Sequence, residues 1–181
     1  MDSANVVAFR KHSGASESIL APTDGSALSI AGALKAVDFA RRLQTRLVVF
    51  SAIPPYQYPI YVGGIPFEYP SQAEYQAQCR AIVVGYLGLV ADAATAQGVQ
   101  ASQRIEFNAN PAQAILAAAD DEHCSLIFMA SHGRSGLSRT FLGSVALKTL
   151  TLSHIPVLVD HPNPDEITQA EALMKESAIE T

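Results

Sequence analysis

The segment SLIFMASHGRSGLSRTFLGS, Ser125 to Ser144, passes from the apolar run ending at Ala130 into a loop punctuated by Gly133, Gly136 and Gly143, and stops where a helical pattern begins. A nearly continuous apolar run closed by a turn is the pattern of a strand buried on both faces of a parallel sheet. A loop leading from such a strand into a helix is half of a βαβ unit. The rest of the chain can therefore be searched for further halves.

Downstream, a helix is expected over about Ser144 to Leu152 and a fifth strand over Ile155 to Asp160. Upstream, Ser102 to Phe107 alternates as a short strand. Asn110-Pro111 then caps and starts a helix whose Ala114, Ile115 and Ala118 face inward, with Asp120, Asp121 and Glu122 at its solvated end. Arg46 to Ile53 is a second doubly buried strand, ended by Pro54-Pro55. Residues 54 to 70 hold five prolines, an adjacent pair of glycines and four tyrosines, which rules out a regular helix and reads as a surface loop. Ser71 followed by Glu74 is a capping box that opens a helix reaching about Gln97, with Gly98 placed for a left-handed helix stop. At the front, Ser18 to Pro22 is a strand and Thr23-Asp24-Gly25-Ser26 a capping turn. The helix from Ser26 to Leu43 carries Leu34, Val37, Phe39 and Ala40 among alanines, and Arg41 and Arg42 in its last turn favour the helix dipole.

Five strands thus alternate with four helices. Right-handed crossovers then place helices on both faces of one sheet, so the expected fold is α/β: a doubly wound, five-stranded parallel sheet, Rossmann-like, in strand order 3-2-1-4-5, forming a single domain. Its expected bounds are residues 18–162, after an N-terminal leader at 1–17 and before a C-terminal tail at 163–181. Ile167, Ala170 and Met174 give that tail a residual helical pattern, either frayed or docked. The 181 residues suffice for one stable core but hardly for two.

Composition narrows the function. With 49% apolar and 16% charged residues, and no run near the ~18 apolar residues of a membrane span, a soluble protein with no membrane partner is expected. Residues 1–17 lack the apolar segment and cleavage site of a secretory signal, which points to the cytoplasm. The two cysteines, Cys79 and Cys124, are expected as reduced packing residues. A net charge of −5, with neither sign in long blocks, argues against nucleic acid as a partner. His12, His123, His154 and His161 show no spacing for a dedicated zinc site.

Open α/β sheets bind ligands at the carboxyl ends of their strands, where strand order reverses. The loops after strands one, two and four are therefore the candidates. In the last of these, Gly133, Gly136 and Gly143 allow backbone amides to approach an anion, and Ser144 adds a hydroxyl at a positive helix end. The same spacing also suits a long turn with Ser144 as a plain helix cap, and spacing alone does not separate the two. In the first loop, Asp24 can accept hydrogen bonds from ribose hydroxyls or an adenine amino group, and it can equally cap the first helix. His132 and Arg134 could neutralise phosphates, with Arg134 the better suited because a guanidinium matches phosphate oxygens bidentately, while Arg139 could face either phosphates or solvent.

The order Pro22-Thr23-Asp24 after strand one, Met129 to Leu137 (MASHGRSGL) after strand four and Leu142-Gly143-Ser144-Val145 before a helix resembles the universal stress protein family. The similarity spans about Ser18 to Asp160. In ATP-binding members the pattern is glycine, two residues, glycine, nine residues, glycine, then serine or threonine. Here Ala130, Gly133, Gly143 and Ser144 hold those positions with the spacing intact, alanine standing for the first glycine. The resemblance implies an adenosine site lined by Pro22, Thr23 and Asp24, with the backbone of Ala52 at the base and Met129 and Ala130 near base and ribose. It also implies phosphate contacts from Gly133, Gly143, Ser144 and Val145. The methyl of Ala130 would crowd the ribose or, at positive φ, strain the backbone, so retained binding with altered affinity is expected.

The expected ligand is therefore ATP, with Mg²⁺ or Mn²⁺ arriving on its phosphates. No Walker A lysine and no Gly-x-Ser-x-Gly elbow is present, so the leading expectation is a binding protein acting as a nucleotide-dependent switch in stress response or signalling. The alternatives are a slow ATP hydrolase or phosphotransferase using Asp24 or His132, and a nucleotide-independent dimeric scaffold. A homodimer through the strand at 155–160 is expected, from its edge position and from the resemblance, unless the tail covers that edge.

Overall fold

A computed structural model describes residues 18–58, 69–133 and 142–179. The leader at 1–17, most of the proline- and tyrosine-rich loop, and Arg134, Gly136 and Arg139 lie outside the described residues. Among the described residues five strands and five helices alternate: β1 (Ser18–Pro22), α1 (Ala27–Leu43), β2 (Arg46–Ile53), α2 (Gln72–Ala96), β3 (Ala101–Phe107), α3 (Pro111–Asp121), β4 (Cys124–Ala130), α4 (Ser144–Leu152), β5 (Val157–Asp160) and α5 (Pro164–Ile179). All pairings are parallel and the sheet order is β3-β2-β1-β4-β5, the doubly wound arrangement that the alternation of elements requires.

Several helix ends have a local cause. Ser26 caps α1 by accepting a hydrogen bond from Ser29 N, and Gln44 stops it in a left-handed conformation at φ 54°. Ser71 and Glu74 form the full capping box of α2, with Glu74 N donating to Ser71 Oγ at 3.2 Å and Ser71 N to Glu74 Oε2 at 2.7 Å. Asn110 caps α3 and Pro111 takes its first turn, where a missing N–H costs nothing.

Strand parity divides the core. Ile19, Ala21, Leu47, Val49 and Phe128 point to the face covered by α1, α2 and α5, while Leu20, Val48, Phe50, Ile127 and Met129 point to the face covered by α3 and α4. Continuous apolar strands follow from having helices on both sides. Helix α2 is long and apolar enough, by length and composition, to cross a membrane. Here its Val83, Leu87, Val90 and Ala94 are buried in the sheet's first core. Cys124 is buried, its thiol pushed up from its ordinary range chiefly by burial, which suits packing rather than nucleophilic chemistry.

Two local differences from the sequence reading have physical reasons. Strand β5 begins at Val157 rather than Ile155, because Ser153 Oγ takes up both polar groups of Ile155, accepting from its N at 3.1 Å and donating to its carbonyl at 2.6 Å. The tail is a docked helix: Ile167, Ala170 and Met174 join the α1 side of the core. Helix α5 packs on α1 and α2 rather than along the outer edge of β5. Lys35 Nζ anchors it, 3.2 Å from Asp160 Oδ1 at the end of β5 and 2.9 Å from Glu166 Oε2 in the first turn of α5.

Helix α1 approaches the sheet closely at Gly32. A Cβ built there would stand 2.9 Å from Ala130 Cβ and 3.3 Å from both Ala130 Cα and N. Ala130 follows Leu126 and Phe128 on the strand's α1 side, so its methyl is directed into the notch that Gly32 leaves.

Candidate functional site

Strands β1 and β4 are neighbours, but their following helices leave to opposite faces of the sheet, and this parting opens a crevice at their carboxyl ends. A cavity of about 280 Å³ occupies it. Pro22, Thr23 and Asp24 form one wall from the end of β1, and Ala52 contributes from β2. Met129 and Ala130 line it from β4, His132 and Gly133 from the start of the following loop, and Gly143, Ser144 and Val145 from the entry to α4. Every candidate residue within the described part of the chain thus meets in one cavity. Arg134 and Gly136, the other two candidates, are not among the described residues.

Sequence reasoning missed Ser29, Phe50, Pro111, Ile115, Ser131 and Ala146, which also line the cavity. Phe50 is two residues before Ala52 on the same face of β2, and Ile115 is one helical turn after Pro111. Those periodicities could have found them once the cavity face was fixed. Together with Met129 they make an apolar slot, while Thr23, Asp24, Ser131 and Ser144 give it a polar side.

The turn after β1 is held by its own hydroxyls. Asp24 Oδ1 accepts from Ser26 N at 3.0 Å, Ser26 Oγ at 2.7 Å and Ser29 Oγ at 2.6 Å. Ser29 has a single hydroxyl proton, so with that proton on Asp24, Thr23 Oγ1 is the donor in its 2.8 Å bond to Ser29 Oγ. Thr23 N donates to Phe50 O at 2.9 Å and ties the turn to β2. Oxygen Oδ1 serves the helix start and Oδ2 faces the opposite loop. A Cβ on Gly133 would collide with Oδ2 and lie 2.9 Å from Asp24 Cγ.

The opposite wall begins at Ser131, which is 2% exposed. Its N donates to Asp160 O and its carbonyl accepts from Gly143 N, both at 2.8 Å. A Cβ on Gly143 would come 3.1 Å from that carbonyl, so glycine permits the crossing. Gly143, not Ser144, is the N-cap of α4, and it gives no side-chain hydrogen bond to the helix's first amides. Ser144 is the first helical residue, exposed at the cavity rim. Unsatisfied amides at a positive helix end favour an anion. His132 Nδ1 lies 3.1 Å from Ser131 Oγ, and its enclosed Nε2 has no hydrogen-bond partner among the described residues.

These observations fit a nucleotide: an apolar slot for a planar base, a carboxylate beside it, and glycine-bounded, uncapped amides for phosphate oxygens. The Ala130 methyl is directed toward α1, and its residue has ordinary strand geometry. Among the described non-glycine residues only Gln44 and His123 have positive φ. The strained backbone expected of alanine is not seen in this geometry.

A family model described as the universal stress protein family matches residues 16–161. A universal stress protein of Methanocaldococcus jannaschii is 27% identical over 157 residues, covering 78% of this chain and 79% of that protein. Among solved structures, a universal stress protein in complex with cAMP shares the fold at a TM-score of 0.57 and 23% identity, over 82% of this chain and 98% of its own. One from Archaeoglobus fulgidus in complex with dAMP does so at a TM-score of 0.54 and 16% identity, over 80% and 97%.

Proposed function

The chain belongs to the universal stress protein family, and on that footing we propose that its switch-point cavity binds an adenine nucleotide, ATP in the cell, and acts as a nucleotide-dependent switch in the cytoplasm. The single observation that carries this reading is the pairing, in one crevice, of the apolar slot of Phe50, Met129 and Ile115 with the uncapped start of α4 behind Gly143. A base needs the first and a polyphosphate the second. Relatives solved with cAMP and dAMP support the choice of adenine. The cavity's volume is near the lower end of small-molecule sites, which run from roughly 300 Å³ upward. It suits a nucleoside, with the phosphates leading outward along the loop.

In this assignment Pro22, Thr23 and Asp24 line the adenosine, the backbone of Ala52 meets the base, and Met129 and Ala130 lie at base and ribose. Gly133, Gly143, Ser144 and Val145 take the phosphates, joined by His132, Arg134 and Gly136. Mg²⁺ or Mn²⁺ arrives on the phosphates, and no residue is assigned to hold it.

Ligand that binds only the folded state stabilises it by about 2.7 kcal/mol at a hundredfold excess over Kd. For a domain of this size that raises the midpoint of thermal unfolding by about 5–10 °C. Mass spectrometry of the native protein should find a co-purified adenine nucleotide. Protein that carries none and shows no shift with ATP, ADP or AMP refutes the reading.

The same reading includes a homodimer through β5. That strand pairs only with β4 among the described strands, and α5 turns away onto α1 and α2, so the tail does not cover its edge. Leu147 and Leu150 of the adjoining α4 are 52% and 44% exposed. An unprotected edge flanked by leucines favours self-pairing about a two-fold axis. Light scattering should return twice the 19.2 kDa chain mass, and a monomer at micromolar concentration counts against the dimer.

A further inference from the structure

Tyr86 lies on α2, outside the cavity, yet one side chain of it touches both structures that carry the adenosine wall. Its ring covers Gly25 so closely that a Cβ there would stand 2.6 Å from Cδ1 and Cε1 and 3.2 Å from Cγ. Gly25 also has φ +78°, a left-handed conformation that a side chain resists. Its hydroxyl is 2.6 Å from Ser51 Oγ, and Ser51 is 1% exposed. Ser51 sits between Phe50 and Ala52, which both line the cavity, and Phe50 O receives the turn's amide from Thr23.

The hydrogen bonds from Ser26 and Ser29 fix the Asp24 carboxylate relative to its own turn. They do not fix the turn relative to β2. Thr23 N, donating to Phe50 O, is a backbone bond that spans that gap. A flat ring resting on Gly25 and tethered at its far end to β2 adds a side-chain tie across it.

We propose that Tyr86 is a positioning residue for nucleotide recognition: it holds the Gly25 turn against the end of β2 and so aims the Asp24 carboxylate into the cavity. The proposal rests on the nucleotide reading above. Simple core filling by Tyr86 would predict lost stability alone, with no preference for one cavity residue.

The test is a double-mutant cycle read by calorimetric titration with adenosine. Tyr86→Leu, which removes the ring and the tether, should weaken adenosine binding about tenfold, the scale of one misplaced hydrogen bond to a charged group. Tyr86→Phe, which keeps the ring, should lose less. In an Asp24→Asn background the Tyr86→Leu effect should disappear, because the group being aimed is already altered. Wild-type affinity in Tyr86→Leu, or an equal loss in both backgrounds, overturns the proposal. Should the wild type bind neither adenosine nor ATP, the nucleotide reading fails on its own. Amide exchange at Ser26, whose N–H is held by Asp24, then decides about Tyr86: faster exchange in Tyr86→Leu sustains the aiming role, and unchanged exchange ends it.

Discussion

Replacing Gly32 by valine should lower the midpoint of thermal unfolding by roughly 6–12 °C, the equivalent of about 3 kcal/mol for a domain of this size. Even the first carbon of the new side chain would stand 2.9 Å from Ala130 Cβ and 3.3 Å from that residue's Cα and N. Those atoms belong to a strand that lies between β1 and β5, and Ala130 itself is paired with Asp160 of β5, which resists their retreat. Valine's two further methyls have only the same crowded space, and its χ1 is nearly fixed within a helix. The better helix propensity of valine over glycine, less than about 1 kcal/mol, does not offset this. Ala130→Gly in the same chain should restore part of the loss by removing the nearest of the three contacts, while the two backbone contacts remain. Urea titration of the two single variants and the double variant measures the coupling. Simple additivity would mean that the two residues do not press on each other as described.

The second large effect concerns ligand rather than stability. Gly133→Ala should weaken ATP binding about a hundredfold, about 2.7 kcal/mol, while shifting the unfolding midpoint by no more than about 2 °C. Its Cβ would overlap Asp24 Oδ2, so either the carboxylate leaves the cavity wall or the loop's first amides withdraw. Both movements damage the proposed site. The fold is spared because the residue lies at a cavity rim, outside both hydrophobic cores. Titration calorimetry with ATP, alongside a melting curve, separates the two quantities. An affinity equal to that of the unchanged protein would remove Gly133 from the phosphate cradle.

The sheet was readable because parallel strands covered on both faces leave an apolar signature that alternation would have diluted. Arg46 to Ile53 and Ser125 to Ala130 are nearly continuous, and glycine, proline and capping residues break the chain between elements. That same continuity hid the site's lining. With Phe50, Ser51 and Ala52 in one unbroken run, nothing in the string says which face meets the crevice, and only pairing with neighbouring strands sets it. Nothing in the local sequence sets Ser29 apart from an ordinary helix start, yet its single proton completes the hydroxyl cluster on Asp24. Ala130 was judged by its own substitution; its partner, Gly32, lies 98 positions away in the chain, where no local pattern connects them. Ser144 was read as a possible cap, yet the residue before it holds that place, since boundaries shift by a residue when the cap carries no side chain.

The docked last helix has a practical bearing on how the protein is handled. Lys35 clips α5 to Asp160, the carbonyl of Asp160 holds the amide of Ser131, and the carbonyl of Ser131 holds Gly143 at the mouth of the crevice. A reporter or immobilisation tag joined beyond Ile179 is therefore mechanically in series with the cavity rim, and tension at the junction reaches it through four short bonds. Such fusions call for a glycine- and serine-rich spacer as insulation, and a rigid junction at the same point turns the helix into a handle for pulling on the site.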